Sequence, residues 1–262
     1  MIEVRVIACA VRGPGLTGWV GAARILAGQA EYVPEASIEP APALLPPNER
    51  RRMSDPARWA LAAGQEALSA AGIASADVAT VFASCGSDGK ITQQICEALA
   101  APAREVSPTR FHNSVHNAPA GYWSIAMATN APSTSLCAGA GSFGAGLLEA
   151  AAQAVVEMRP VLLIAYDLPY PEPLRALWSI PDAVAVAILL GPGESRSSGP
   201  RVRVALAAGK PDDSWLPGLP RELAQNPAAS ALPFLAQIAR GEEGRLLLPY
   251  LDRCSIELEV MA

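Results

Sequence analysis

The hydrophobic positions of this chain form short apolar runs separated by helical stretches, a pattern that predicts an α/β fold. Residues 2–10 mix β-branched and small apolar residues and stop at the turn Gly13-Pro14-Gly15, as a strand followed by a turn would. Four further strands are predicted, at 78–84, 133–138, 161–166 and 183–190. The last two are continuous apolar runs, which are typical of strands buried on both faces.

Helices are predicted between these strands. The clearest one has Ser54 as its N-cap, Pro56 in its first turn and Gly72 as its C-terminal stop. The others are predicted at about 17–28, 90–100, 118–128 and from the glycine-rich turn 139–146 to about 158. Because strands alternate with helices up to residue 166 and two strands then follow closely, we expect a β-α-β-α-β-α-β-β sheet with helices on both faces.

The pattern changes near residue 194. Residues 201–206 alternate like a half-exposed strand, 226–240 are predicted to be helical, and 246–260 are predicted to form one or two strands. We therefore expect a domain at 1–194 and a C-terminal extension at 195–262 that packs on the same domain. The extension could cover an edge of the sheet.

Composition and charge narrow the partners. The 262 residues are 51% hydrophobic and 17% charged, with a net charge of −5 and no basic run, which argues against nucleic acid or an anionic membrane surface. The longest apolar runs are far shorter than a membrane span, and charges at Glu3 and Arg5 argue against a signal peptide. Five cysteines are scattered without a CxxC pair, as in a protein with reduced thiols. These features predict a soluble, cytoplasmic protein.

A glycine-rich segment offers one candidate for chemistry. Gly139, Gly141 and Gly144 match the dinucleotide-binding pattern G-x-G-x-x-G, between a predicted strand and a predicted helix, and Asp167 follows the next strand. An NAD-binding protein is therefore one alternative. Two observations count against it, since the preceding strand is short and polar, and Asp167 lies 23 residues after Gly144, slightly far for the ribose-binding acid.

The same segment also resembles the nucleophile-bearing part of the β-ketoacyl synthases. The family pattern N-x-x-A-G-x-x-[ST]-I, a G-P-S turn and a T-A-C-[ST]-[SG] elbow correspond to Asn117–Ile125, Asn130–Ser133 and the small residues that follow. Without a gap, the resemblance places the family's nucleophilic cysteine at Ala140, and Cys137 lies three residues too early.

Within that superfamily the chain is most similar to short "ketoacyl synthase-like, N-terminal" proteins. Their motifs F-x-x-S-V-H-N-A, S-F-x-x-G-L-L-E-A and V-L-L-[IV]-x-Y-D-x-P match Phe111–Ala118, Ser142–Ala150 and Val161–Pro169. The resemblance implies one half of a duplicated thiolase-like fold. It also implies a chain-length factor in aryl-polyene, polyketide or fatty acid biosynthesis.

The residues of a condensing enzyme are incomplete here. The family uses a cysteine thiolate and two histidines from the second half of its fold, whereas Ala140 cannot be acylated and both histidines, His112 and His116, precede the elbow. We therefore expect a non-catalytic partner without a cofactor.

An active acyltransferase remains an alternative, with Cys137 or Ser142 as nucleophile and His112 or His116 as base. The structural interpretation makes Cys137 a small buried residue of a strand and Ser142 a helix cap. The two histidines stand four residues apart, a spacing that would place them on one face of a helix. Asn117 and Pro119, however, place the helix start after them, which leaves the histidines in an extended or turn segment. No metal site is predicted on that basis.

The resemblance implies an interface as well. In the superfamily the strand before the elbow, here Ser133 to Cys137, pairs across the dimer, and the segment at Arg110 to Val115 reaches toward the other subunit's acyl pocket. A heterodimer with a full-length, cysteine-bearing ketosynthase follows, with an acyl carrier protein reached through that partner. The candidate interface and acyl-tunnel residues are Arg110, Phe111, His112, Val115, His116, Asn117, Tyr122 and Phe143.

Overall fold

A computed structural model describes residues 1–41, 44–86, 88–194, 199–212 and 215–261. Nine described strands form one mixed sheet in the order β4-β3-β5-β6-β1-β7-β9-β8, with the short β2 paired to β1. The strands are β1 (Ile2–Gly13), β2 (Leu16–Thr17), β3 (Ala79–Ala83), β4 (Ser133–Leu136), β5 (Val161–Asp167), β6 (Val184–Pro192), β7 (Arg201–Ala208), β8 (Gly244–Leu251) and β9 (Cys254–Met261). The predicted α/β class with a mixed sheet is confirmed.

The sheet changes character along its width. β3 runs parallel to both β4 and β5, whereas every later pairing from β5 to β8 is antiparallel. β5 is buried along its whole length and β6 nearly so, as their continuous apolar runs predict. The parallel strands all end on the same side, so their carboxyl ends lie together.

Helices cover both faces of this sheet. The helices of the described residues are α1 (Trp19–Leu26), α2 (Pro47–Arg52), α3 (Asp55–Ala71), α4 (Gly89–Ala100), α5 (Pro108–Asn113), α6 (Ala118–Ala126), α7 (Ser142–Val156) and α8 (Leu232–Arg240). One apolar core lies between the sheet and α3 with α6, and a second lies between the sheet and α7 with α8. The sheet therefore has one layer of helices on each of its two faces.

Two short helices replace segments that the sequence predicts to be irregular. α2 begins within residues 35–50, a stretch whose prolines and lack of periodicity predict a surface loop. α5 contains His112, which the sequence places in an extended or turn segment. Both helices start with proline in the first turn, where a missing N–H costs no hydrogen bond. The prediction was wrong here because helices of six residues leave almost no periodic signal.

The C-terminal strands continue the same sheet. β7 pairs with β1 at Ile2↔Val204, β9 pairs with β7, and β8 closes that edge. Residues of β7, α8 and β9 share one core with α7, so this part of the chain covers the helix that follows the glycine-rich turn. The predicted boundary at 194/195 falls at residues 195–198, outside the described residues.

Two further findings concern membrane-spanning helices and the state of the cysteines. Within the described residues, no helix has both the length and the apolar character needed to cross a lipid bilayer. All five cysteines are free, and only Cys9 and Cys85 are buried.

Candidate functional site

The glycine-rich turn forms a tight strand-to-helix elbow. β4 ends at Leu136, Gly139 adopts φ +54°, and a 3-10 turn at Gly139–Gly141 leads directly into α7. The positive φ at Gly139 is one that residues with a side chain rarely adopt. Ala140 lies in this turn and is exposed, so a methyl group stands where the resemblance places a thiol.

Ser142 serves the elbow's structure. It is 1% exposed, and its Oγ accepts a hydrogen bond from the Ala138 N–H at 3.0 Å. The same hydroxyl lies 2.7 Å from the Gly139 carbonyl oxygen and 3.0 Å from that of Ser84, to either of which it can donate. A buried hydroxyl engaged by three backbone groups is poorly placed to attack a substrate.

Cys137 is exposed, which contradicts its interpretation as a buried strand residue. β4 ends one residue before it, so its thiol leaves the sheet and donates to the carbonyl oxygen of Cys85 at 3.0 Å. The hydrogen bonds found among the described residues do not join Cys137 to His112 or His116. Neither histidine is therefore hydrogen-bonded to this thiol among the described residues.

The two histidines occupy different environments. His112 is exposed on α5, with its ring 6.1 Å from the ring of Tyr122 in an edge-on arrangement. His116 lies in the turn before α6, and its Nε2 atom is buried without a hydrogen-bond partner among the described residues. Across all the residues that the structure describes, no group of three or more His, Cys, Asp or Glu side chains could hold a metal ion.

The glycines of the G-x-G-x-x-G pattern serve close packing. A Cβ on Gly141 would lie 2.4 Å from the Tyr250 carbonyl oxygen, and one on Gly144 would lie 2.5 Å from that of Pro249. Backbone of β8 therefore occupies the space beside these glycines through which a pyrophosphate would approach in a dinucleotide fold. β4 is also an edge strand, whereas the dinucleotide pattern follows a central one. This geometry argues against the NAD-binding alternative.

The candidate interface residues do not form one surface. Four of them, together with His112, are exposed in the segment from α5 to the start of α6: Arg110, Phe111, Val115 and Asn117. Phe111 and Val115 are 65% and 48% exposed, a high value for large apolar side chains. Tyr122 and Phe143, in contrast, are buried in the two different cores on opposite faces of the sheet.

Tyr122 anchors the exposed segment. Its hydroxyl donates to Asn113 Oδ1 at 3.0 Å, and Asn113 Nδ2 donates to the Arg52 carbonyl oxygen at 2.6 Å. This chain of bonds joins α6 to the ends of α5 and α2. Through these bonds, the buried Tyr122 holds the exposed segment that carries Phe111 in position.

A buried polar cluster at the ends of β3 and β5 was missed by the sequence analysis as a site. Asp167 is 3% exposed, and its Oδ1 accepts hydrogen bonds from Ser84 Oγ at 3.0 Å and the Cys85 N–H at 2.7 Å. Burial raises the pKa of this carboxyl to about 6, although these hydrogen bonds oppose the shift. Burial, with Asp167 nearby, also raises the pKa of the Cys85 thiol, which keeps it protonated. The available signal was an acid placed directly after an apolar strand.

Comparison with known families gives one match over most of the chain. A sequence model of the family described as "Beta-ketoacyl synthase, N-terminal domain" matches residues 26–246. A search of the curated proteins found no match to the chain.

Several solved structures share the fold. A chain of the complex described as "Ketosynthase (ApeO) in Complex with its Chain Length Factor (ApeC) from Xenorhabdus doucetiae" is 24% identical, with a TM-score of 0.74, covering 99% of this chain and 100% of the other. A chain of "The ishigamide ketosynthase/chain length factor" is 12% identical, with a TM-score of 0.72 and coverage of 100% and 99%. A ketosynthase from module 6 of the bacillaene synthase of Bacillus subtilis 168 has a TM-score of 0.59 at 12% identity, over 79% of this chain but only 41% of the other. At these identities the likeness shows the fold.

Proposed function

The chain belongs to the β-ketoacyl synthase N-terminal domain family, and from that premise we propose that it is a non-catalytic, chain-length-factor-like subunit. It pairs with a cysteine-bearing β-ketoacyl synthase and helps to shape the acyl tunnel of that partner. The pathway is of the aryl-polyene, polyketide or fatty acid type, and the location is the cytoplasm. The acyl carrier protein is reached through the partner.

The elbow is the observation that carries this proposal. It has the strand, the tight turn and the helix N-terminus that activate a nucleophile, yet Ala140 offers only a methyl group. The buried hydroxyl of Ser142 is hydrogen-bonded to backbone groups, and the Cys137 thiol donates to a backbone carbonyl oxygen and to no histidine among the described residues. An elbow that carries alanine at this position supports a role as a non-catalytic partner.

The structural relatives support the same proposal. One chain from each of two complexes of a ketosynthase with a chain length factor aligns over 99% to 100% of both sequences, whereas the bacillaene ketosynthase extends well beyond the matched region. We accordingly propose that residues 1–194 form one half of the thiolase-like fold. Residues 195–262 would be an extension that packs on the same domain and replaces part of the missing second half.

The open edge at β4 is the proposed contact with the partner. β4 pairs only with β3 in the described sheet, and its four residues carry neither a charge nor a proline. Such an edge presents free backbone groups to another strand. The exposed Phe111 and Val115 would reach the partner's acyl tunnel, where each methylene buried adds about 0.8 kcal/mol until a side chain ends the pocket.

Co-expression tests the proposal. The chain is expressed with a ketosynthase encoded nearby, and the mass of the complex is measured by native mass spectrometry. A one-to-one heterodimer is expected, and a chain that stays alone or forms only homodimers would contradict the proposal.

A labelling experiment separates the partner from the enzyme alternative. The purified heterodimer is treated with an acyl-thioester probe, and the modified residue is mapped. We expect acylation of the ketosynthase alone, and unchanged product formation in a complex that contains Cys137→Ala. Stoichiometric acylation of Cys137, or activity lost in that variant, would establish the active acyltransferase instead.

A further inference from the structure

The carboxyl ends of β3 and β5 border a small, partly open cavity. Open α/β sheets usually bind ligands at this position, but the volume here is only about 70 Å³. For comparison, an engineered apolar cavity of about 150 Å³ binds benzene. Asp88, His116, Asp167 and Tyr170 are among the residues that line it.

The ring of Tyr170 fills the space beside this cavity. A Cβ on Gly89 would lie 1.7 Å from Tyr170 Cδ1, and a Cβ on Gly86 would lie 2.4 Å from the tyrosine Oη. The ring thus lies directly against backbone at two positions that only glycine allows. The ring also packs with Cys85, Leu174 and Ile180 in a small cluster. Its hydroxyl lies 3.7 Å from Cys85 Sγ, and its centroid lies 5.7 Å from that of the Trp178 ring.

Tyr170 belongs to the loop between β5 and β6, residues 168–183, whose base is held by one buried amide. Asn226 is 0% exposed, and its Nδ2 donates to the carbonyl oxygens of Asp167 at 3.0 Å and Asp182 at 2.9 Å. Its Oδ1 accepts from the Ala228 N–H at 2.9 Å. The C-terminal part of the chain therefore fixes both ends of the loop that carries Tyr170.

We propose that Tyr170 fills a pocket in this chain that has an apolar wall at Cys85, Leu174 and Ile180 and would otherwise admit an acyl chain. We further propose that Asn226 is the positioning residue that holds Tyr170 there. Without the ring, Cys85, Leu174 and Ile180 would line a space continuous with the cavity. With the ring in place, the growing acyl chain can extend only into the partner's pocket. This inference rests on the proposed function for its biological meaning, but its test does not need the partner.

The first experiment measures binding of a dansyl-labelled undecanoic acid to the isolated chain by fluorescence. Tyr170→Ala is expected to bind the probe at least about tenfold more tightly than the wild type, a change of roughly 1.4 kcal/mol. Tyr170→Phe, which keeps the ring, is the matched control and should resemble the wild type. Gly89→Ala is a second route to the same opening, because its methyl group would displace the ring. A folded Tyr170→Ala without tighter binding, or equal gains in Tyr170→Phe, would overturn the proposal.

The second experiment tests Asn226 by hydrogen exchange. Asn226→Asp replaces the donating amide by an oxygen that faces two carbonyl oxygens, so exchange should rise at least about tenfold in peptides covering 168–183 and the probe should bind more tightly. Ser255→Ala is the control, since it removes a buried hydroxyl bonded to the Gly209 carbonyl oxygen in the same part of the chain. A uniform rise across the chain in Asn226→Asp would reduce Asn226 to a general structural residue.

Failure of the two proposals can be told apart. If the chain pairs with no ketosynthase but Tyr170→Ala gains the probe, the partner proposal fails and the closed pocket stands. If pairing occurs but neither Tyr170→Ala nor Gly89→Ala gains the probe while folded, only the closed pocket fails.

Discussion

The two edges of the sheet are built in opposite ways. At the β8 edge the backbone N–H of Asp212 donates to the Leu247 carbonyl oxygen at 2.9 Å, and the Leu247 N–H donates to the Asp212 carboxylate at 2.8 Å. Pro249 removes a further N–H from that strand, and Arg245 forms an ion pair with Glu257 of β9. β4 at the other edge has none of these features among its residues Ser133–Leu136.

This difference indicates which edge is meant for pairing. Charged residues, proline and covering loops are the usual means of protecting an edge from other strands. Among the described strands, the short and uncharged β4 is therefore the edge that is open to pairing. The elbow follows directly from that open strand, so a partner bound at β4 would lie beside Ala140.

The largest predicted effect concerns Phe143, which belongs to the covered side of the molecule. It is 0% exposed in the core shared by α7 and the C-terminal strands. Phe143→Ala should therefore lower the free energy of unfolding by ~3–5 kcal/mol, as measured by urea denaturation of the isolated chain. A loss below ~1 kcal/mol would mean that this side is packed less tightly than the contacts indicate.

The open edge can be tested with proline. Thr80 N donates to the Pro132 carbonyl oxygen and Ser84 N to that of Leu136, so residues 133 and 135 turn their backbone groups outward. Ser135→Pro should weaken pairing with the ketosynthase by at least about thirtyfold, roughly 2 kcal/mol, because it removes an outward N–H while the bonds to β3 remain.

The matched control lies on the β8 edge. Arg245 stands two residues from Leu247, whose groups face outward, so its own N–H also faces outward. Pairing of both proline variants with the ketosynthase is measured by surface plasmon resonance. Arg245→Pro should leave the affinity unchanged. Equal losses at both edges would refute the distinction between them.

Phe111 sharpens the comparison at side-chain level. Because it is 65% exposed, Phe111→Ala should change the free energy of unfolding by less than ~0.5 kcal/mol. The same change should weaken pairing about tenfold and lengthen the products read by mass spectrometry. Intact pairing with unchanged product lengths would remove Phe111 from the interface and the tunnel, and would favour a purely structural partner.

The smallest predicted effect is the pH dependence of stability that comes from the buried carboxyl of Asp167. The pKa of Asp167 is about 6 in the folded chain and near 3.8 when exposed, so the folded state binds the proton more tightly. Stability due to this carboxyl is present below pH 4 and is lost as the pH rises through 6. Between pH 5 and pH 7 the loss should be about 1 kcal/mol.

Thermal unfolding at several pH values checks this expectation. Asp167→Asn cannot titrate, so the difference in stability between this variant and the wild type should change by about 1 kcal/mol between pH 5 and pH 7. A constant difference would mean that Asp167 titrates alike in the folded and unfolded chains.

Much of the fold could be predicted because its signals are local. β5 and β6 are uninterrupted apolar runs, and α3 lies between Ser54 and Gly72 as expected. Ser54 nevertheless makes no capping hydrogen bond, although its position was right. α2 and α5 were missed, since their few residues carry too little periodicity.

The candidate site divides in the same way. The elbow and the alanine at 140 follow from spacing, because a strand, a tight turn and a helix are adjacent in the sequence. The sequence could not place Tyr122 and Phe143 in different cores, since that depends on how neighbouring helices pack on opposite faces of one sheet. Cys137 was expected to be buried, and its position just beyond the end of β4 exposes it.

The sequence by itself determined the class of fold, the order of its main elements and the absence of a nucleophile at residue 140, because each depends on residues close together in the chain. Only the tertiary structure decided that β8 packs on Gly141 and Gly144, that Asn226 holds the loop of Tyr170, and that β4 rather than β8 is the open edge. These contacts join residues far apart in sequence. They form only when the loops between them close and the cores fill.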